Sequence, residues 1–157
     1  MSAALPRTGR IVAGAHQCPI RVYYEDTDAA GIVYYANYLK FAERARTEML
    51  RCCGIDQERL RRETGTGLVV RRTAVDFLLP ARLDDELTVT TRLLAHGHAS
   101  LEVAQDIARG DAMLARLESR IACVRADGRP TRLPPALAQA LATLSRHAST
   151  MVDAHAR

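Results

Sequence analysis

Between residues 36 and 123 the hydrophobic period of the chain changes once, from helical to strand-like, and then stays at two through four successive segments. Tyr38, Ala42, Ala45, Met49 and Cys52 recur at spacings of 4, 3, 4 and 3, which is one face of a helix. Glu43, Arg44, Arg46, Glu48 and Arg51 occupy much of the remaining surface, and Gly54 is placed to end the helix. Residues 56–63 read as a short helix and residues 64–67 as a loop. Beyond them Val69, Thr73, Val75 and Phe77 alternate with charged or small residues, with Arg71 interrupting that face. Leu87, Val89, Thr91 and Leu93 alternate cleanly. Leu101, Val103 and Ile107 mark a third strand, and Met113, Ala115, Leu117, Ser119, Ile121 and Cys123 a fourth. Turns at His96-Gly97-His98, Arg109-Gly110-Asp111 and Ala126-Asp127-Gly128 punctuate them. A strand over residues 18–25 precedes the long helix. An amphipathic helix over 135–147, with Leu137, Leu141 and Leu144 on one face, follows the last strand. Strand, long helix, four strands and short helix together predict an α+β fold, a mostly antiparallel sheet with the helix packed on one face. The sheet's second face also needs burial or polarity, so a homo-oligomer is expected.

The length of 157 residues fits a single domain. The pattern predicts a loose arm over 1–16, one domain over 17–147 and a disordered tail over 148–157. Hydrophobic residues at 48% and charged residues at 25% exclude a mainly disordered chain. No uncharged apolar run reaches the ~18 residues of a membrane span. The net charge of +4 is nearly all arginine, since Lys40 is the only lysine. The arginines are scattered, with short pairs at Arg61/Arg62 and Arg71/Arg72, and no nucleic-acid partner is expected. The four cysteines, Cys18, Cys52, Cys53 and Cys123, form no CxxC. Residues 1–10 lack the apolar core of a signal peptide, so a reducing, cytoplasmic setting is expected.

Chemistry concentrates in residues 26–38, DTDAAGIVYYANY, and all five tyrosines lie between Tyr23 and Tyr38. Asp26, Asp28 and Gly31 match the start of a calcium loop. The match then fails, because its fifth position is Ala30 and its twelfth is Asn37. Gly31 without a following Lys-Ser/Thr is not a phosphate loop. Two readings remain. In one, Asp26 and Asp28 are turn and capping residues. In the other, a carboxylate faces the N-terminus of the helix that begins near residues 35–36. The free N–H groups and positive dipole end of that helix polarise a carbonyl and hold a developing oxyanion. That geometry suits acyl transfer from an ester or thioester without a metal or a serine triad.

The stretch RVYYEDTDAAGIVYYANYLKFAERARTEML, residues 21–50, resembles the signature of hotdog-fold acyl-CoA thioesterases of the 4-hydroxybenzoyl-CoA thioesterase family. Together with VRRTAVDFLLPARLDDELTVTTRL, residues 70–93, it is most similar to the Tol–Pal-associated branch. The resemblance covers roughly residues 18–135. It implies a hotdog fold, in which a five-stranded antiparallel sheet wraps a long central helix. It also implies a dimer of dimers with active sites at subunit interfaces. Asp28 would be the catalytic carboxylate, attacking the thioester or activating water, and the Tyr35 N–H would polarise the carbonyl. Gly31 would let the loop approach the substrate, and Val33, Tyr34 and Asn37 would line it, Asn37 otherwise orienting the loop through side-chain hydrogen bonds or capping the helix. Glu43 matches an acid near the far end of the substrate in the hydroxybenzoyl-CoA branch. Its plainer reading is a helix Glu paired with Arg44 or Arg46. CoA enters as part of the substrate, with no resident cofactor, and an acyl carrier protein is a second expected partner.

Two departures stand out. Tyr35 holds a position that is usually His in the Tol–Pal branch and Tyr in the hydroxybenzoyl-CoA branch. The turn at His96-Gly97-His98-Ala99 lacks the basic residues that meet the CoA phosphates in the latter. His96 and His98 have no evident third ligand, so no metal site is expected. The helix over residues 36–53 contains no His, which argues against a hotdog dehydratase. A non-catalytic acyl-carrier or acyl-CoA binding protein is the rival reading.

Overall fold

The computed structural model describes residues 6–154. Its strands are β1 (Arg10–Val12), β2 (Ala15–Arg21), β3 (Thr66–Phe77), β4 (Glu86–His96), β5 (Ser100–Arg109) and β6 (Ala112–Arg125). Its α-helices are α1 (Asn37–Cys52), α2 (Gln57–Thr64) and α3 (Pro135–Ala154). All strand pairs are antiparallel, in the order β1-β2-β4-β5-β6-β3. This is the hotdog arrangement with six strands rather than the expected five. The added strand is β1, which folds back on β2 within the stretch expected to be a loose arm. Ala13 and Gly14, at φ 52° and 76°, form a two-residue turn whose left-handed backbone conformation matches the right-handed twist of the strands in a tight hairpin. At the other end α3 runs on to Ala154, past the expected start of the tail at residue 148.

The apolar stripe of α1 packs on one face of the sheet. Tyr38, Phe41, Ala42 and Ala45 meet Ile20, Leu87, Val89, Ile107 and Leu117 in one cluster. Met49 and Leu50 join Leu101, Val103 and Ile121 with Leu137, Leu141 and Leu144 of α3 in a second. Cys52, which continues the stripe in sequence, is exposed in the last turn of α1. Arg46 lies on the polar side of the sequence pattern yet is buried, because Nη1 donates to Gln105 Oε1 at 2.8 Å and Nη2 pairs with Glu43. Gln105 in turn donates to the Ala42 carbonyl at 2.9 Å and to Thr91 Oγ1 at 3.0 Å. That chain of bonds ties α1 to β4 and β5.

Three one-residue bulges explain where simple alternation fails. Arg71 is the extra residue between Val70↔Ile121 and Arg72↔Arg120. Leu68 and Val70 therefore face the helix before it, and Thr73 and Val75 after it. Leu94 and Leu114 are the extra residues at the other two bulges.

Beneath the β1–β2 hairpin, His16 is fully buried and its Nε2 donates to the Thr8 carbonyl at 2.8 Å. Burial holds the imidazole below its usual range of about 6.5, against the raising pull of Thr8 and Glu48. The unfolded chain therefore takes up a proton that the folded chain refuses. Stability from this site is complete above about pH 6.5 and declines as pH falls below it. The melting temperature should drop between about pH 7.5 and 5.5, and His16→Gln should flatten that slope in a thermal-melt series. The Tyr38 hydroxyl accepts the buried Ala81 N–H at 3.0 Å. Tyr38→Phe orphans that donor and should cost about 1–3 kcal/mol in a urea titration.

Candidate active site

The segment joining β2 to α1 is a short, heavily bonded loop. After Arg21 the chain makes a single 3-10 turn over Tyr24–Asp26. Thr27 and Val33 then pair as an isolated antiparallel bridge. Inside that bridge the Asp28 N–H donates to the Ile32 carbonyl at 2.9 Å, and the Gly31 N–H to the Asp28 carbonyl at 3.0 Å. Gly31 holds φ at 76°, a left-handed value that a side chain would strain, and nothing crowds the place its Cβ would take. Asp28 Oδ1 accepts the Ala30 N–H at 2.9 Å, which fixes the carboxylate on the loop. Asp28 is exposed, and its Oδ2 has no partner among the described residues.

The loop delivers the chain to α1 with donors to spare. The Val33 N–H goes to the Ala81 carbonyl at 2.8 Å, the Tyr34 N–H to the Asp26 carbonyl at 2.9 Å and the Asn37 N–H to the Tyr34 carbonyl at 2.8 Å. The N–H groups of Tyr35 and Ala36 have no acceptor among the described residues. Ala36, the residue before the helix, provides no side-chain cap. A helix N-terminus with free donors and no cap attracts a partial negative charge. The loop thus carries both a carboxylate with a free oxygen and unpaired donors at a positive dipole end.

The other expected site residues divide. Tyr34 and Tyr35 are 45% and 62% exposed, with ring centroids 4.9 Å apart. Hydrogen bonding to Tyr35 raises the Tyr34 phenol above its usual range. Val33 does not line the loop surface, because it is buried in the core with Val22, Tyr38 and Ala81. Asn37 is 7% exposed, and its Nδ2 donates to Asp26 Oδ1 at 2.9 Å. Glu43 stands apart from the loop, pairing with Arg46 beside a cavity of about 70 Å³ that Met49, Leu68 and Val70 also line.

Sequence reasoning missed the contribution of the end of β3. Phe77 stands edge-on to Tyr35 at 6.1 Å and packs against Tyr38 at 5.6 Å. Phe77, Leu78 and Leu79 are all about half exposed. The signal was the unbroken apolar run FLL before Pro80, where an alternating strand should have shown a polar residue.

Thiol chemistry has no support. Burial raises all four cysteine thiols, Cys18 to about 11, so none is a thiolate near neutral pH. Among the described residues no group of three His, Cys, Asp or Glu is placed to hold a metal. The largest cavity described, about 910 Å³, lies between the β1–β2 hairpin and α3, lined by Ile11, Cys52, Ile55 and Leu144 among others. No residue of the Asp28 loop borders it. No described helix is long and apolar enough to cross a membrane.

Comparison with known proteins follows the same segment. The family model of the thioesterase-like superfamily matches residues 22–141. The acyl-CoA thioesterase YbgC of Haemophilus influenzae is 44% identical over 106 residues, 68% of this chain and 78% of that protein. The acyl-CoA thioester hydrolase YbgC of Escherichia coli O6:H1 is 45% identical over 107 residues, 68% of this chain and 79% of its own. Among solved structures, a probable thioesterase from Bartonella henselae superposes with a TM-score of 0.73 at 38% identity. That match covers 76% of this chain and 99% of the other. With its fold, its loop and these relatives in agreement, the chain belongs to the thioesterase-like superfamily.

Proposed function

We propose that this protein hydrolyses acyl-CoA thioesters to the free acid and CoA-SH. The observation that carries the reading is the pairing, on one loop, of an Asp28 carboxylate oxygen without a partner and unpaired N–H groups at the start of α1. The thioester carbonyl oxygen accepts the Tyr35 N–H, which stabilises the oxyanion as the carbonyl carbon becomes tetrahedral. Asp28 acts on that carbon directly or through a water whose proton it takes. The C–S bond then breaks, CoA leaves as the thiol, and the oxygen added to the acyl group comes from water. Tyr35 works through its backbone, so the Tyr-for-His departure at this position leaves the step intact.

The rings of Tyr34, Tyr35 and Phe77 beside the loop favour a flat aromatic or short acyl group over a long chain. The names of the YbgC relatives support the acyl-CoA class.

The protein acts as a homo-oligomer. Among the described residues β3 is the last strand of the sheet, pairs only with β6 and leaves a twelve-residue edge open. Val69, Val70, Phe77, Leu78 and Leu79 are exposed along and just after it. An edge that long and that apolar is a template for a second copy.

Free-thiol release from short aliphatic, long aliphatic and aromatic acyl-CoAs tests the activity. The wild-type protein should release CoA-SH, fastest from the aromatic or short thioesters. Asp28→Asn should lower kcat by about 10²- to 10⁴-fold. Acyl-CoA binding without thiol release would instead favour a carrier or binding role. In sedimentation the protein should run at twice the chain mass or more, and a monomer at micromolar concentration would contradict the interface.

A further inference from the structure

We infer that Asp26 and Asn37 form a positioning pair that holds the Asp28 carboxylate in place against the N-terminus of α1. The inference rests on the reading of Asp28 and the Tyr35 N–H as the reacting groups. Asp28 cannot set its own distance from the helix, since among the described residues its carboxylate bonds only within its own turn, to the Ala30 N–H. The loop is instead closed at its two ends. Asp26 lies just before it and Asn37 is the first residue of α1. The Asn37 Nδ2 donates to Asp26 Oδ1 at 2.9 Å, the Tyr23 N–H donates to Asp26 Oδ2 at 2.8 Å, and the Tyr34 N–H donates to the Asp26 carbonyl at 2.9 Å. One residue therefore grips the segment before the loop, the turn that carries the unpaired donors, and the helix itself.

The pair is buried, with Asp26 3% and Asn37 7% exposed. In that setting a bond is strong and an orphaned partner is costly. Helix capping does not account for it, because the Asn37 side chain makes no bond to the start of its own helix and turns to Asp26. The types are also specific. Asp26 receives one N–H on each carboxylate oxygen, and Asn37 supplies the side-chain donor. Asp26 and Asn37 touch no reacting atom in this account and act through the position they give Asp28 and Tyr35.

A reciprocal exchange tests the pair. Asn37→Asp sets two carboxylates against each other in a buried site. It should lower kcat by about 100-fold with KM within a few-fold, as expected when reacting groups are displaced by about 1 Å. Asn37→Ala removes the bond without a second charge and should lower kcat less, about 10-fold. In Asp26→Asn/Asn37→Asp the amide at 26 accepts the Tyr23 N–H and donates to the carboxylate at 37. This double variant should recover kcat to within about 10-fold of wild type. Amide hydrogen exchange over residues 27–36 should quicken in both Asn37 single variants and slow again in the double. Thermal melts of each protein confirm that it is folded, and Asn37→Ala carries the test if Asn37→Asp is not. A double variant as slow as Asn37→Asp, or single variants with wild-type kcat, would overturn the inference. If wild-type protein releases no thiol from any acyl-CoA, the functional reading fails instead. The exchange rates still decide the tie, and loop exchange equal in all variants would refute it.

Discussion

Burial of the α1 stripe against the sheet is the constraint on which the rest of the structure depends. Phe41, Ala42 and Ala45 are fully buried, and the two alanines let the helix lie close over β2 and β4. Apolar burial alone is non-directional and would tolerate a helix that slid or turned. Gln105 removes that freedom. Its amide grips the Ala42 carbonyl and Thr91, and its oxygen takes Arg46, so α1 is fixed along and around its axis by directional bonds. Fixing α1 also fixes the place where its first free N–H groups emerge.

The candidate site inherits its precision from that anchoring. The Asp28 loop is held by the Thr27–Val33 bridge and by Val33 bonding to the Ala81 carbonyl, while Tyr38 accepts the Ala81 N–H from the helix side. Ala81 thus receives both the loop and α1. Under the proposed hydrolysis, the site would need no charged donor to face a developing oxyanion. Backbone N–H groups at a helix end point where the fold puts them and do not reorganise during the reaction. On that reading, the step would tolerate change at the Tyr35 side chain while depending on the backbone beneath it.

The sequence made the helix, the strand run and the Asp28 loop legible because each is written locally. The spacing of Tyr38, Ala42, Ala45 and Met49 needed no knowledge of distant partners, and all four are buried. What stayed hidden depends on distant residues or on single-residue shifts. Arg46 looked like surface because its partner Gln105 lies 59 residues away. Val69 seemed to share a face with Thr73 because a period of two cannot register the bulge at Arg71. β1 was invisible because it is three residues long, exposed, and defined by the Ala13-Gly14 turn rather than by any alternation of its own. In the loop, sequence named Asp28, Gly31, Tyr34 and Tyr35. It offered Asn37 as a side chain that orients the loop but could not name Asp26 as its partner, and it could not see that Val33 turns into the core or that Phe77 arrives from the end of β3.

The most direct test of the central claim is a crystal structure of the Asp28→Asn protein with an intact acyl-CoA bound. The account predicts the thioester carbonyl oxygen within about 3 Å of the Tyr35 backbone nitrogen, with the carbonyl carbon facing the side chain at position 28. A thioester bound with its carbonyl away from the start of α1, or with residue 28 turned from the carbonyl carbon, would contradict it.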